Sequence, residues 1–314
     1  MKPENRKKIV ILGTGGTIAG RAASASDNIG YTAAQVGVAD LLAAVPGLQG
    51  LPLEAELVAQ LDSKDMDFAV WQLMVQRVAH HLARDEVQGL VITHGTDTLE
   101  ETAYFLQRMV AAHKPVVLTC AMRPASSGSP DGPQNLLDAV AVAMAPGAHG
   151  VVAVCAGVIH SATDVQKVHT YRLDAFGSGD AGPIGYVEEL TPRLVKNWPE
   201  VSANASLFAS KFIAATRWPQ VEIVMSHAGA SGRVVDALPA AGVNGIVVAC
   251  TGNGTLHHAL EAALLRAQAA GVRVVRATRC TQGQVLPKPG DALPDSRGLS
   301  PVKARVALIL DLLT

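Results

Sequence analysis

Short apolar runs that end in small polar or glycine corners recur along this chain, and they constrain its fold more than any other feature. Ile9–Leu12 leads into Gly13-Thr14-Gly15-Gly16-Thr17, and Leu90–Ile92 into His94-Gly95-Thr96-Asp97-Thr98. Val116–Leu118 leads into Thr119-Cys120, and Val151–Val154 into Cys155-Ala156-Gly157. Val221–Met225 ends in Ser226-His227, and Ile246–Ala249 in Cys250-Thr251-Gly252-Asn253-Gly254. Near-continuous apolar runs of this length are what strands buried on both faces look like. Helical patterns follow several of them, over Leu99–Val110, Asn135–Ala145 and Leu256–Ala270. The alternation predicts an α/β fold with a mostly parallel sheet flanked by helices. Function should then gather at the carboxyl ends of the strands.

The 314 residues exceed what one core usually serves, so two domains are expected. Pro192, Pro199 and Pro219 fall in a polar stretch without the strand pattern of its flanks. This divides the chain into residues 1–189, a linker over 190–219, and residues 220–314. A net charge of −1 offers no basic field for nucleic acid. No apolar run reaches the roughly 18 residues of a membrane helix. A charged start followed by a strand points to the cytoplasm, or to the periplasm if a leader has been removed.

Cys120, Cys155, Cys250 and Cys280 show no metal-ligand spacing and read as buried free thiols of a reducing compartment. This argues against a zinc site. The His80-His81 pair reads as helix surface.

The corner around Thr96 is the most informative for chemistry. Thr98 and Glu101 fit a capping box, which starts a helix there and sets Thr96 and Asp97 beside its positive end. The Thr17 corner has glycines that let backbone amides approach a ligand. Arg21–Gly30, rich in Ala, Ser, Asp and Asn, hangs from that corner as a mobile loop or lid, with Tyr31 after it. A threonine hydroxyl needs an activating partner, and Tyr31 and Lys167 are the candidates. Lys167 alone reads as a surface cation; an ordinary lysine with a pKa of about 10.4 is neutral in about one molecule in 2,500 at pH 7.

Gly15-Gly16-Thr17-Ile18-Ala19-Gly20 and His94-Gly95-Thr96-Asp97-Thr98-Leu99-Glu100-Glu101-Thr102 resemble the two signature motifs of the bacterial-type L-asparaginase/glutaminase family. Asp62-Ser63, Ala121-Met122-Arg123-Pro124, Asp131-Gly132-Pro133, Asn135-Leu136, Lys167 and Thr251-Gly252-Asn253-Gly254 extend the resemblance over essentially the whole chain. It implies a larger N-terminal domain, a smaller C-terminal α/β domain, and a homotetramer of intimate dimers with active sites between chains. It implies hydrolysis of a side-chain amide, L-asparagine first and L-glutamine second, without metal or cofactor. Thr17 would attack the amide carbon with help from Tyr31, and Thr96, Asp97 and Lys167 would form a second hydrogen-bonded group. Asp62, Ser63, Thr96 and Asp97 would hold the small amino-acid substrate, and Asn253 would reach in from the neighbouring chain.

Two departures stand out. Lys64 follows the serine where many relatives place Gln or Glu beside the substrate ammonium, and Gln282 and Gln284 lie where some relatives have an acid. The alternatives are an amidase for another side-chain amide and a silent amino-acid-binding protein. A dinucleotide-binding dehydrogenase fits less well, because the first corner lacks a clean GxGxxG pattern and a ribose-binding acid.

Overall fold

A computed structural model of the chain describes residues 7–201 and 205–313. Two units emerge, divided between residues 209 and 210.

The first unit runs β1 (Lys8–Gly15), α1 (Val38–Ala43), β2 (Leu53–Leu61), α2 (Phe68–Leu82), β3 (Val87–Thr93), α3 (Leu99–Met109), β4 (Val116–Thr119), α4 (Gly132–Met144) and β5 (Val151–Cys155). Strands β6 (Val158–Ser161), β7 (Gln166–Lys167), β8 (Phe176–Gly177), β9 (Gly185–Glu188) and β10 (Thr191–Leu194) follow, then α5 (Ala205–Ala214), inside which the division falls. Eight strands form one sheet in the order β10-β9-β6-β5-β4-β3-β1-β2. The five strands from β2 to β5 are parallel, and β6, β9 and β10 complete the sheet antiparallel.

Ile9, Ile11, Val91, Val117 and Val152 join Leu136, Ala139, Val140 and Ala143 of α4 in one core. The intervening Val10, Leu12, Leu90 and Ile92 are equally buried, so helices cover both faces. Each such side chain stabilises the fold by about 1.5–3 kcal/mol, which explains the lack of alternation in these runs. On α2 and α3, Trp71 stacks on Phe105 at 4.5 Å and its indole N–H donates to Thr102 Oγ1 at 2.9 Å.

The strand order matters for the site. From β1 the chain moves to β2 on one side, then returns to β3 on the other. This reversal opens a crevice outside the carboxyl ends of β1 and β3, where open α/β sheets bind ligands. Thr14 Oγ1 donates to the Thr93 carbonyl at 2.8 Å and ties the two ends together.

Three expectations change. The corner after β5 is a hairpin rather than a strand-to-helix turn, with Ala156 (φ 49°) and Gly157 (φ 75°) in the left-handed region that two-residue hairpins use. The stretch 190–219 contains β10 and α5; Pro192 sits in the edge strand β10, a position that tolerates a missing N–H. His81 is buried, not at the surface, because Nε2 lies 2.7 Å from Glu56 Oε2 and Nδ1 lies 2.9 Å from Arg84 Nη1.

The second unit carries β11 (Val221–Met225), α6 (Arg233–Ala237), β12 (Gly245–Cys250), α7 (His258–Ala269), β13 (Arg273–Thr278) and α8 (Pro301–Leu312). Its three strands are parallel in sequence order. Ile246, Val248 and Val274 pack with Val235, Leu260 and Leu264. Ser300 caps α8 ahead of Pro301, whose missing N–H costs nothing in the first turn. Among the described residues no helix is long and apolar enough to cross a membrane.

Candidate active site

Three corners of the first unit close on one another because glycines remove the atoms that would keep them apart. After β1 the chain passes Gly15 (φ 96°) and Gly16 (φ 80°) into a short turn, Thr17–Ala19. A Cβ on Gly16 would lie 2.4 Å from Gly95 Cα, in the corner after β3. A Cβ on Gly95 would lie 2.4 Å from Ser63 Oγ, in the corner after β2. Real Cβ atoms do not approach this closely, so both positions require glycine.

Ser63 then sews its corner to the next. Its buried Oγ accepts the Asp97 N–H at 3.2 Å, and its carbonyl accepts the Thr98 hydroxyl at 2.8 Å. The expected capping box is therefore absent. Helix α3 does start after Thr98, but that side chain is spent on Ser63.

Two hydroxyl groups result, each 6% exposed and each with its own partner. Thr17 Oγ1 lies 2.7 Å from the Tyr31 hydroxyl. Thr96 Oγ1 accepts from Lys167 Nζ at 2.8 Å, and the same nitrogen donates to Asp97 Oδ1 at 2.6 Å. Lys167 is far from a free surface cation: it sits on the two-residue strand β7, paired with Phe176 of β8. The crevice thus holds a neutral hydroxyl pair and an ionic triad. Such a pairing suits a nucleophile on one side and a proton-handling group on the other.

His94, which the sequence left without a role, is wholly buried behind this corner. Its Nδ1 lies 2.7 Å from the Gly95 carbonyl, which can only accept, so the proton is on Nδ1. Burial pushes its pKa down to about 4, and the Gly95 contact opposes this only in part. The imidazole is neutral at pH 7 and fixes the peptide that leads into Thr96. Only its place between an apolar strand and Gly95 could have signalled this.

The other candidates are more peripheral. Asp62 caps its turn and accepts from the Lys64 ammonium at 2.6 Å. Lys64 also lies 3.5 Å from Asp65, and its side chain is 61% exposed. These carboxylates raise its pKa, the Asp62 hydrogen bond most of all. The 21–31 loop is pinned at its base by a bridge between Arg21 and Thr32.

In the second unit, Asn253 sits at the tip of a tight loop. Thr251 and Thr255 exchange backbone hydrogen bonds at 3.0 and 2.9 Å. Asn253 Oδ1 accepts the Leu286 N–H at 2.7 Å. Gln282 and Gln284 are exposed.

Cys120, Cys155 and Cys250 are buried free thiols, with the first two sulfurs 3.4 Å apart. Cys280 is exposed, because it lies in the turn beyond β13 rather than at the strand's buried end. Among the described residues no cluster of three or more His, Cys, Asp or Glu could hold a metal ion.

Comparison with known proteins gives one answer along the whole length. Residues 8–200 match the family description "Asparaginase, N-terminal", and residues 220–313 match "Glutaminase/Asparaginase C-terminal domain". The chain is 39% identical to L-asparaginase 2 of Bacillus subtilis, over 97% of this chain and 82% of that protein. It is 36% identical to a glutaminase-asparaginase of Pseudomonas fluorescens, over 97% of this chain and 86% of the relative. The crystal structure of a probable cytoplasmic L-asparaginase from Campylobacter jejuni superposes with a TM-score of 0.91 at 37% identity, covering 98% of this chain and 95% of that one. With both halves matched in order, the chain belongs to the asparaginase family.

Proposed function

We propose that this protein is an amidohydrolase that converts L-asparagine and water to L-aspartate and ammonia, with Thr17 as the nucleophile. One observation carries the reading. Two buried threonine hydroxyls with different partners, Tyr31 and the Lys167–Asp97 pair, stand on corners that touch through Gly16 and Gly95.

Amide hydrolysis needs a nucleophile, donors for the developing oxyanion, and a proton for the departing nitrogen. Thr17 Oγ bonds to the side-chain amide carbon. Its proton leaves along the 2.7 Å contact with Tyr31 and ends on the amide nitrogen. The carbon–nitrogen bond breaks, ammonia departs, and an aspartyl ester remains on Thr17. Water, oriented by Thr96 and Lys167, then attacks the ester carbon and restores the Thr17 hydroxyl. Backbone amides of Thr17 and of Thr96 supply the oxyanion donors, while the Gly16 N–H is engaged by the Leu61 carbonyl at 2.9 Å. No metal or organic cofactor enters these steps.

Ser63 receives the substrate α-carboxylate, and the half-exposed Asp97 carboxylate receives the α-ammonium. Asp62 supports this wall by holding Lys64, so the lysine stays clear of the substrate cation. L-glutamine is a second substrate. One methylene is worth only about 1–3 kcal/mol, and a relative's name joins the two activities. Assembly is a homotetramer in which Asn253 of a neighbouring chain completes the site. The family match and the rigid Asn253 loop support this, and sedimentation would test it. The likeness to a probable cytoplasmic L-asparaginase from Campylobacter jejuni supports a cytoplasmic location.

The test is ammonia release by purified protein. L-asparagine should give rapid release, lost in both Thr17→Ala and Thr96→Ala. Silence on both amides in a folded wild type would leave a different amide or a binding role.

A further inference from the structure

We propose that the turn from Arg123 to Ser129 is a latch for the 21–31 loop, with Ser126 a positioning residue that acts through Tyr31 on Thr17. This rests on the reading of Thr17 and Tyr31 given above.

The loop has little apolar surface with which to hold itself down. Residues 21–30 are mostly small or polar, and Ile29 is 79% exposed. Several of its contacts are internal: Asp27 Oδ1 accepts from the Ile29 and Gly30 amides at 2.9 and 2.7 Å, and the Ser24 and Ser26 hydroxyls meet at 2.9 Å. Among the described residues, two hydrogen bonds tie residues 22–30 to another part of the chain, and both go to one turn. The Ala22 N–H donates to Ser126 Oγ at 2.8 Å, and the Gly128 N–H donates to the Ala25 carbonyl at 2.8 Å.

That turn is itself held firmly. The Asp131 carboxylate accepts the Met122 and Arg123 amides, both at 2.9 Å, at the start of α4. Ser127 N–H donates to the Pro124 carbonyl at 2.9 Å, and Arg123 Nη1 to the Ser129 carbonyl at 3.0 Å. A fixed platform therefore meets a loop that is held to it by two bonds that water can replace. A neutral hydrogen bond of this kind shifts an equilibrium by roughly three- to tenfold. With Tyr31 at the end of the loop, that equilibrium sets how often its hydroxyl reaches Thr17.

Two readouts test the latch. The first is deuterium exchange at the amides of residues 22–30 in ligand-free protein. The second is the split between KM and kcat for L-asparagine. Ser126→Ala should speed exchange by roughly three- to tenfold and lower kcat by a similar factor, with KM changed less than about twofold. Ser126→Thr, which keeps the acceptor, should restore both. Unchanged exchange in a folded Ser126→Ala protein would overturn the latch, and faster exchange with an unchanged kcat would overturn its link to Tyr31. Inactivity of the wild type would instead remove the proposed reaction, while the exchange measurement still judges the latch.

Discussion

Thr17 and Thr96 occupy matching corners, each just past the carboxyl end of one of two adjacent parallel strands, and each is equally buried. Their surroundings differ. The Thr17 corner is neutral, and its partner Tyr31 arrives on a loop held by a few polar contacts. The Thr96 corner is ionic, and its partner Lys167 is fixed by a short strand pair and an Asp97 contact of 2.6 Å. The difference teaches a division of labour. In the proposed mechanism the residue that forms and breaks a covalent bond sits beneath the loop that carries Tyr31, while the group that handles protons sits on the strand-held side.

The largest effects should come from dismantling either side. Thr17→Ala and Lys167→Met should each lower kcat by on the order of 10³-fold or more. If the two corners work as one unit, the double variant Thr17→Ala/Thr96→Ala should be no slower than the worse single variant by more than about tenfold. Losses that multiply in steady-state ammonia assays would mean the corners act independently.

The contact between the corners can be broken without touching either hydroxyl. Gly16→Ala would place a Cβ against the Gly95 backbone at a φ of 80°. It should cost about 3 kcal/mol or more in urea unfolding and abolish activity. A variant that folds at wild-type stability would show that the corners are not so close.

Acid should loosen the rigid corner first. The pKa of His94 falls from 6.5 in the unfolded chain to about 4 in the folded one, mainly through burial. The unfolded state therefore binds more protons between these values. The contribution is fully present above pH 6.5 and is lost as pH falls toward 4, about 3 kcal/mol in all. Urea midpoints at pH 7, 5.5 and 4.5 should show this slope, and a His94→Asn variant should flatten it.

Much of this was legible in the sequence, for a physical reason. Strands buried on both faces must be continuously apolar, so β1, β3, β4, β5 and β12 announced themselves, and the corners after β1 and β3 followed. The antiparallel half was not legible. Strands β6 to β10 are two to four residues long, partly exposed and interrupted by Pro192, so no periodicity develops. In the site, the motifs marked Thr17, Thr96 and Lys167, whereas the roles of Gly16 and Gly95 depend on an approach between distant corners. The capping box failed because Thr98 had a tertiary partner that no local pattern encodes.

The smallest effect should come from Lys64. Its ammonium is already neutralised by Asp62 and Asp65 at the protein surface. Lys64→Gln should change KM for L-asparagine by less than about threefold, as expected for an exposed ion pair. A larger fall in KM would place the lysine in the pocket.

The most direct test of the division of labour is to trap the covalent intermediate. Lys167→Met, slow in water attack, should be mixed with L-asparagine, quenched in acid and mapped by peptide mass spectrometry. An aspartyl group on the peptide that carries Thr17 is the predicted result. The same group on the peptide that carries Thr96, with Thr17 unmodified, would contradict the account.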